Sequence, residues 1–434
     1  MINKKKILNE FLLLETILIF LPISFLFSNI LAETLIFSII FYYASKLNKN
    51  ELRKIFKNKI FNILIILYLY LIVNYFINFP KDPSALRSFF FIRFPIYAIS
   101  LSYLIGKTNF NQKKVFTYWT LILIVTCADI QFQSIYGKNF LGFNVVPEGE
   151  VNRLGGFMDQ ELKIANFINN FFIISIGAFV YFNKKNLRNS TLMVILTFFV
   201  IYTVYLTGER SNFITLLLVA TTFLIFSNLR KIFLIFLLFT SFLIITNYSF
   251  IENNLQSHRM ITSNIETIKK NIFTTNEINE VKKGFLYKEN QYFAHYSTAF
   301  QIFKDHPIFG VGLKNFRHYS GLDKYDQYVY PKYRGRNHTT HPHNTYFEII
   351  SELGIIGFLI FFGSFFYIFF LFLKFAFYQK NIFIFGNTVM LMSFFIPLLP
   401  KGSFFTNWNA MIFWTVFGLN LYLMSQKTNK NINK

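Results

Sequence analysis

The segment His341-Pro342-His343-Asn344 is the part of the chain best suited to acid–base chemistry. All seven histidines lie between His258 and His343, where a polar stretch meets a long apolar run. Histidine exchanges protons near neutral pH more readily than other unperturbed side chains. We therefore predict chemistry at a membrane surface, in which one of these imidazoles takes a proton from a hydroxyl nucleophile.

Two carboxylates follow the histidines on a predicted helix. Glu348 and Glu352 could orient or polarise the histidine, or they could stabilise the amino-terminal end of the helix through their negative charge. A metal site is the alternative interpretation of the histidines, because His338-x-x-His341-x-His343 resembles the spacing of metal ligands. We predict no metal, since no cysteine lies nearby and Pro342 keeps the backbone extended.

Several arginines are candidates for binding an anionic substrate. Arg210 stands in the short turn Thr207-Gly208-Glu209-Arg210-Ser211-Asn212, at a predicted membrane border. Its planar guanidinium suits phosphate oxygens better than an ammonium does. The alternative is a cation that reaches towards water or pairs with Glu209. Arg87 and Arg93 flank the start of a predicted span, where Arg93 needs an anionic partner or water. Arg334 and Arg336 flank Gly335 and could close over an anion or form a solvated loop.

The composition indicates an all-α polytopic integral membrane protein. Of 434 residues, 53% are apolar and 15% are charged, and the apolar runs have the length that a bilayer core of roughly 30 Å requires. About twelve transmembrane helices are predicted, near 9–28, 30–45, 60–79, 89–106, 115–133, 164–182, 191–206, 213–227, 232–250, 353–373, 382–400 and 408–424. The chain then divides into a bundle of about nine spans (1–250), an external loop (251–343) and about three further spans (344–434).

The positive charge reports topology rather than nucleic acid. The formal net charge is +22, but the basic residues concentrate in alternate loops. If the amino terminus is cytoplasmic, the inside segments hold 22 Lys and Arg and the short outside loops hold seven. This bias predicts that both termini are cytoplasmic and that the loop 251–343 is periplasmic. No nucleic-acid partner is expected.

The external loop contains one predicted helix. Apolar residues recur at helical spacing between Gln291 and Lys304. The helix should end at His306, because the residue before a proline is pushed out of the helical conformation. Gly310-Val311-Gly312 is then predicted to form a turn.

A family resemblance rests on three of these segments. His343-Asn344, followed after nine residues by Gly354 and after two more by Gly357, resembles the His-Asn-x9-Gly-x-x-Gly signature of the O-antigen ligase and polymerase superfamily of bacterial envelope glycan proteins. The turn 207–211 and the segment 305–316 are also similar to that family, as is a layout of about twelve spans with one large late periplasmic loop. One departure is that Gln291–His295 contains no arginine where the family often has one; Arg259, Lys288, Arg317 or the Arg334/Arg336 pair are candidates to replace it.

The resemblance implies an inverting, metal-independent and cofactor-free glycosyl transfer at the periplasmic face of the bacterial inner membrane. The donor would be a glycan linked to undecaprenyl pyrophosphate, held among membrane lipids. The acceptor would be lipid A–core in a ligase, or a growing glycan in a polymerase. Within this scheme His343 is our choice of general base, with His341 as the alternative, and Arg210 is the best-placed cation for the pyrophosphate.

A lipid-linked glycan transporter is the main rival from another class. Transporters place ionisable residues near the bilayer midplane and consist of repeated halves. The predicted spans contain few such residues, chiefly Glu15, Glu33 and Asp129, and no convincing repeat is visible. The concentration of polar chemistry in one loop favours an enzyme.

Overall fold

The structure is a computed structural model that describes residues 2–78, 83–107, 111–148, 151–183, 187–226 and 286–432. The predicted span 232–250 and the external loop up to residue 285 lie outside the described residues. Nearly all the rest is helical. The one sheet in this part of the chain is a short antiparallel hairpin of β1 (Val146–Glu148) and β2 (Val151–Arg153).

The described α-helices, in chain order, are α1 (Ile2–Phe27), α2 (Asn29–Lys46), α3 (Lys49–Lys57), α4 (Lys59–Asn78), α5 (Arg87–Phe90), α6 (Arg93–Lys107), α7 (Gln112–Tyr136), α8 (Ile164–Phe182), α9 (Leu187–Leu206), α10 (Arg210–Phe226), α11 (Gln291–Asp305), α12 (Phe316–Tyr319), α13 (Thr345–Tyr378), α14 (Ile382–Met392) and α15 (Asn407–Ile432). Short 3₁₀ turns cover Pro83–Leu86, Gly156–Met158, Asp323–Tyr328, Pro331–Tyr333 and Ser393–Phe395.

Six of the described helices are long and apolar enough to cross a membrane. They are Lys59–Asn78, Arg87–Gly106, Gln112–Tyr136, Ile164–Phe182, Arg188–Leu206 and Thr345–Tyr378. The helices α2 and α3 make a seventh if they are one span bent by 110°, and Leu13–Phe27 and Ile382–Phe395 are shorter apolar helices. These findings agree with an all-α membrane protein. The total of twelve spans remains a prediction.

Two boundaries differ from those that hydropathy predicts. Helix α13 begins at Thr345, eight residues before the predicted span, because its first turns carry the buried polar residues Glu348 and Glu352. The next apolar segment stops being helical after Phe395 instead of continuing to residue 400. Pro397 explains the early end, since it disfavours helical backbone at the residue before it.

Local signals set the ends of several helices. The Asn111 side chain accepts a hydrogen bond from the Lys114 amide at the start of α7. Gly137 ends the same helix with a φ of 73°, in the left-handed region that glycine adopts freely. Helix α11 ends at Asp305, with His306 as its carboxy-terminal cap before Pro307. The prediction for the helix in the external loop is therefore confirmed.

Close helix packing holds the site's supporting elements together. Helix α15 packs along α6, where the hydroxyls of Tyr97 and Thr415 lie 2.9 Å apart. Gly418 allows this approach, because a Cβ there would lie 2.8 Å from the Ala98 carbonyl oxygen. Helix α14 packs on α8 in the same way, with Gly177 beneath the Phe383 ring. The loops that precede α13 and α15 are thus attached to closely packed helices.

Candidate functional site

The polar site is organised by a break within α13. Gly354 has a φ of 65° and a ψ of −171°, which no helix contains. The segment after α11 fills the gap: the amides of Val311 and Gly312 donate to the carbonyls of Ser351 and Glu352, at 3.0 and 2.8 Å. On the other side of the break, the Ile355 amide donates to the Pro307 carbonyl. The segment Pro307–Gly312 is therefore hydrogen-bonded to α13 on both sides of the break.

The two motif glycines have different packing roles. A Cβ at Gly354 would lie 2.3 Å from the Ile308 carbonyl oxygen, so the break has no room for a side chain. A Cβ at Gly357 would lie 2.6 Å from the Tyr70 ring. The Tyr70 hydroxyl donates at 2.6 Å to the Leu353 carbonyl, which the break leaves without its helical partner. The spacing between Asn344 and the glycines thus places the break two to three turns into the helix.

Asn344 caps α13 and fixes the loop before it. Its side-chain oxygen accepts from the Tyr346 amide at 3.0 Å, and its Nδ2 donates to the Leu399 carbonyl at 3.3 Å. His343 precedes this cap with a φ of 56°, in the left-handed region that non-glycine residues occupy at an energetic cost. The backbone therefore holds His343 in one unusual orientation.

Three imidazoles form one group, the histidine cluster of His295, His341 and His343. The ring of His343 lies between the other two, with centroids 5.3 Å from His295 and 4.2 Å from His341. The Nδ1 atoms of His295 and His341 contact the Asn337 carbonyl and the Thr340 hydroxyl, while Nε2 of His341 is buried without a partner in the described residues.

Burial keeps the histidine cluster neutral. Desolvation and the nearby His341 ring together lower the pKa of His343 to about 4, although the charge of Glu348 opposes both. Desolvation likewise lowers the pKa of His341 and of His295 to about 4. A neutral imidazole is the form that can accept a proton, so each of these rings is in its basic form at neutral pH.

Glu348 lies at the centre of a buried ionic network. The Lys314 Nζ lies 3.0 Å from Glu348 Oε1, and the exposed fractions of the two side chains are 2% and 1%. The Ser403 hydroxyl lies within hydrogen-bond distance of both groups, and the Phe404 amide donates to Glu348 Oε2 at 3.1 Å. The carboxylate therefore joins the external loop, α13 and the loop before α15. It acts on the histidines only through its field.

The loop that precedes α15 runs beside the histidine loop. Residues 394–401 accept or donate hydrogen bonds along this contact: the Tyr346 hydroxyl donates to the Phe395 carbonyl, and the Tyr296 hydroxyl donates to the Leu398 carbonyl. The Lys401 amide donates to the His343 carbonyl at 2.7 Å. Residues 394–401, which we call the strap, thus hold His343 through a hydrogen bond that is separate from those of the Asn344 cap.

Lys401 also reaches the arginine turn. Its Nζ donates to the Thr215 hydroxyl at 2.7 Å, one helical turn beyond the start of α10. Glu209 precedes that helix and accepts from the Ala165 amide and from Asn212 Nδ2, at 3.1 and 2.5 Å. Burial raises the pKa of Glu209 to about 7, although these bonds and the charges of Arg153 and Lys401 lower it. Arg210 is the first residue of α10 and is half-buried.

The other predicted cations lie in different surroundings. Arg93 forms a forked pair with Glu33, at 2.9 and 3.2 Å, which supplies the anionic partner that its apolar position required. Arg87 is half-buried at the start of α5. Arg334 and Arg336 are exposed on either side of Gly335, whose φ is 69°. No hydrogen bond or ion pair described above joins these four arginines to the histidine cluster.

His338 lies apart from His341 and His343, the other two residues considered for metal binding. The His338 Nε2 contacts the Arg317 carbonyl at 2.8 Å and its ring lies against Gly321, away from the cluster. Within the described ranges, no three His, Cys, Asp or Glu side chains are grouped so that they could hold a metal ion.

Three site residues escape the sequence analysis: His295, Lys314 and Lys401. His295 lies 46 residues from His341 in the chain, and tertiary contacts such as the Asn337–Thr298 hydrogen bond bring the two segments together. Lys314 belongs to a recognised motif, but a lysine in a loop gives no sign that it is buried. Lys401 contributes only to the charge count. Lys401 stands between Pro400 and Gly402, and this is the one hint in the sequence that its loop is constrained.

Comparisons with known proteins agree with the motif analysis. A search of curated proteins found no match to the chain. Residues 192–362 match the family model described as O-antigen ligase. That range includes the turn at Arg210, the segment 305–316 and the His343–Gly357 motif, and it ends before Lys401. The resemblance is therefore confirmed over residues 192–362, which are similar to the O-antigen ligase family; this match and the apolar helices agree with a membrane protein that has ligase-type or polymerase-type glycan chemistry.

Proposed function

We propose that the protein is a membrane glycosyltransferase that moves a glycan from undecaprenyl pyrophosphate to a sugar hydroxyl of lipid A–core. The observation that carries the proposal is the convergence of two distant motifs on one residue. Lys401 bonds through its amide to His343 and through its Nζ to Thr215, one turn after Arg210. These two contacts support the proposal that a proton acceptor and cations suited to phosphate share one site.

The proposed reaction is a single displacement. The acceptor hydroxyl attacks the anomeric carbon as His343 takes its proton, and the bond from that carbon to the phosphate oxygen breaks. The leaving undecaprenyl pyrophosphate keeps the electron pair, and Arg210 stabilises the charge that develops. Attack opposite the leaving group inverts the anomeric configuration. The scheme uses no metal, because cationic side chains of the protein, Arg210 among them, supply the positive charge.

His341 is the alternative base, since its buried Nε2 has no partner in the described residues. Glu348 contributes by its negative charge, which favours protonation of both rings. The attraction between the Glu348 carboxylate and the ring becomes stronger during proton transfer, because the imidazole becomes cationic in a site of low dielectric constant. His343 remains our choice, because its backbone is fixed from both sides.

Reconstitution with defined substrates tests the function. Purified protein in lipid nanodiscs receives an undecaprenyl-pyrophosphate-linked glycan and either lipid A–core or a second lipid-linked glycan, with and without chelator. We expect transfer to lipid A–core, unaffected by chelator. Transfer to the second lipid-linked glycan alone would identify a polymerase. Transport of the lipid across the membrane without transfer would contradict the proposal.

The guanidinium of Arg210 has a specific expected effect. Arg210→Lys keeps the charge but loses the paired donors that match phosphate oxygens. We expect turnover to fall by roughly 10-fold or more, which corresponds to about one charged hydrogen bond. Glycan transfer in nanodiscs measures it. Arg188→Lys, at an exposed position at the start of α9, is the control. Equal activity of the two variants would reject paired recognition of phosphate.

The topology follows from the same scheme. We propose that the protein lies in the bacterial inner membrane with both termini cytoplasmic and the site periplasmic, as the bias of basic residues predicts. Reporter fusions after residues 50, 185 and 378 should give cytoplasmic signals, and fusions near 150 and 320 should give periplasmic signals. A cytoplasmic signal at 320 would put the histidine cluster on the wrong side for the donor.

A further inference from the structure

Lys401 is a half-buried cation, and its ammonium has one hydrogen-bond acceptor among the described residues. Its amide donates to the His343 carbonyl at 2.7 Å, and its Nζ donates to the Thr215 hydroxyl at 2.7 Å. An ammonium carries three donor hydrogens, and the Thr215 oxygen is the acceptor that the described residues supply. The remaining donors are available to a ligand at the junction of the histidine loop and α10.

Lys314 provides the contrast within the same protein. It is more deeply buried than Lys401, the Glu348 carboxylate lies 3.0 Å away, and Ser403 is a second acceptor. Lys314 thus has a full counter-charge inside the fold, as a structural lysine requires. Among the described residues, Glu209 is the carboxylate whose charge acts on Lys401. Glu209 already accepts hydrogen bonds from the Ala165 amide and from the Asn212 side chain. A half-buried ammonium with so little compensation is suited to an anionic ligand.

The charge of the ligand makes a second cation necessary. A pyrophosphate that links a lipid to a sugar has one negative charge on each phosphate, and a further charge develops when the sugar leaves. One guanidinium compensates only one of these charges. The fixed contacts of Lys401 place its ammonium beside α10, the helix that begins with Arg210.

We propose that Lys401 is the second cation of the donor site and binds the pyrophosphate of a polyprenyl lipid beside Arg210. This inference rests on the proposed function for the identity of the lipid. Because the Lys401 amide also holds His343, the residue couples the position of the phosphates to that of the base. Lys401 is therefore a substrate-binding residue through its side chain and a positioning residue through its backbone.

Binding of a lipid probe without any acceptor tests the inference. The full-length protein in nanodiscs is titrated with undecaprenyl pyrophosphate and, separately, with undecaprenol. We expect Lys401→Met to weaken binding of the pyrophosphate roughly 10–100-fold, the range for a hydrogen bond between charged groups, and to leave binding of the alcohol unchanged. Lys401→Arg should restore most of the affinity. Lys324→Met, which removes an exposed lysine paired with Asp305, is the matched control.

A pH series separates a charge effect from a packing effect. Burial lowers the pKa of Lys401 to about 7, although Glu209 opposes this. The ammonium is charged below that pH and neutral above it, so affinity should fall between pH 6 and 8.5. Glu209, Arg153, Arg210 and the histidine cluster are the charged or titratable groups on the surrounding elements. Glu209 titrates in the same range, so the comparison uses Glu209→Gln with and without Lys401→Met. We expect the single variant to lose affinity more steeply than the double variant; ionisation of the probe is common to both.

Each outcome decides the inference. Equal affinity of Lys401→Met and Lys324→Met for undecaprenyl pyrophosphate, or an equal loss for undecaprenol, would overturn it. If Lys401→Met fails to insert, Lys401→Gln carries the same test with a polar end group. A protein that binds the lipid through Lys401 but transfers no glycan would keep the inference and reject the proposed function. Normal transfer by Lys401→Met would overturn the inference and leave the proposed function standing.

Discussion

His343→Ala should abolish glycan transfer while the protein still inserts and folds. A general base contributes about 10²–10⁴ to the rate, and His343 is the ring whose backbone is fixed both by the Asn344 cap and by the Lys401 amide. The side chain is half-buried and its loss removes little packing. Single-turnover transfer from undecaprenyl-pyrophosphate-linked glycan in nanodiscs, normalised to folded protein, measures the effect.

His338→Ala is the control for His343→Ala. The His338 ring is exposed and contacts the Arg317 carbonyl, so its removal should change transfer by no more than a few-fold. Surface substitutions of this kind usually alter stability by less than about 0.5 kcal/mol. Wild-type transfer by folded His343→Ala protein would reject the assignment, and His341 would become the candidate base.

The pH profile of transfer reports the state of the same base. The pKa of His343 lies at about 4, below the ordinary value of a histidine, so the neutral form prevails above that pH and is lost below it. The gain in transfer that an ordinary histidine base gives between pH 6 and 7 should therefore be absent in the free enzyme, where the change expected for Lys401 has the opposite sign, and transfer should fall as the pH approaches 4. A bound pyrophosphate would raise the pKa of the ring through its negative charge, which would make the base stronger when the substrate is present.

Local sequence signals predict the secondary structure around the site well. Helix α11 lies where its apolar spacing places it and ends before Pro307. Hydropathy places the start of the membrane span eight residues after the start of α13, because the first turns of that helix carry Glu348 and Glu352; the sequence nevertheless predicts that both carboxylates lie on a helix. Those carboxylates are inside the protein because the segment Pro307–Gly312 enters the break at Gly354. Hydropathy measures the average environment of a segment and cannot register such an insertion.

The composition of the site is predicted only in part. His341, His343 and the turn at Arg210 stand in recognisable motifs, so sequence alone finds them. Lys401 reaches Thr215 across 186 residues of the chain, and a contact of that length leaves no periodic or local signal. Glu348 illustrates the opposite case: the sequence suggests an orienting contact with histidine, while its hydrogen bonds lead to Ser403 and Lys314. Tertiary contacts decide which of several nearby polar groups are paired.

Lys314→Met should destabilise the fold strongly, because it leaves the Glu348 carboxylate buried without its counter-charge. Removing one member of a buried ion pair typically costs about 3–5 kcal/mol, and both side chains are almost fully excluded from solvent. The loss should loosen the contact of the external loop with α13, since Lys314 belongs to the loop and Glu348 to the helix. The free energy of unfolding in mixed detergent micelles measures the effect.

The double variant Lys314→Met/Glu348→Gln separates a charge effect from a packing effect. It removes both charges, and we expect it to recover much of the stability that Lys314→Met loses, because a neutral amide retains hydrogen-bonding capacity towards Ser403 and the Phe404 amide at a smaller desolvation cost. Lys324→Met removes an exposed pair and should cost less than about 1 kcal/mol. If Lys314→Met were as stable as Lys324→Met, the network would not hold the loop to α13. The unusual backbone of His343 would then depend on the Asn344 cap and the 394–401 strap alone.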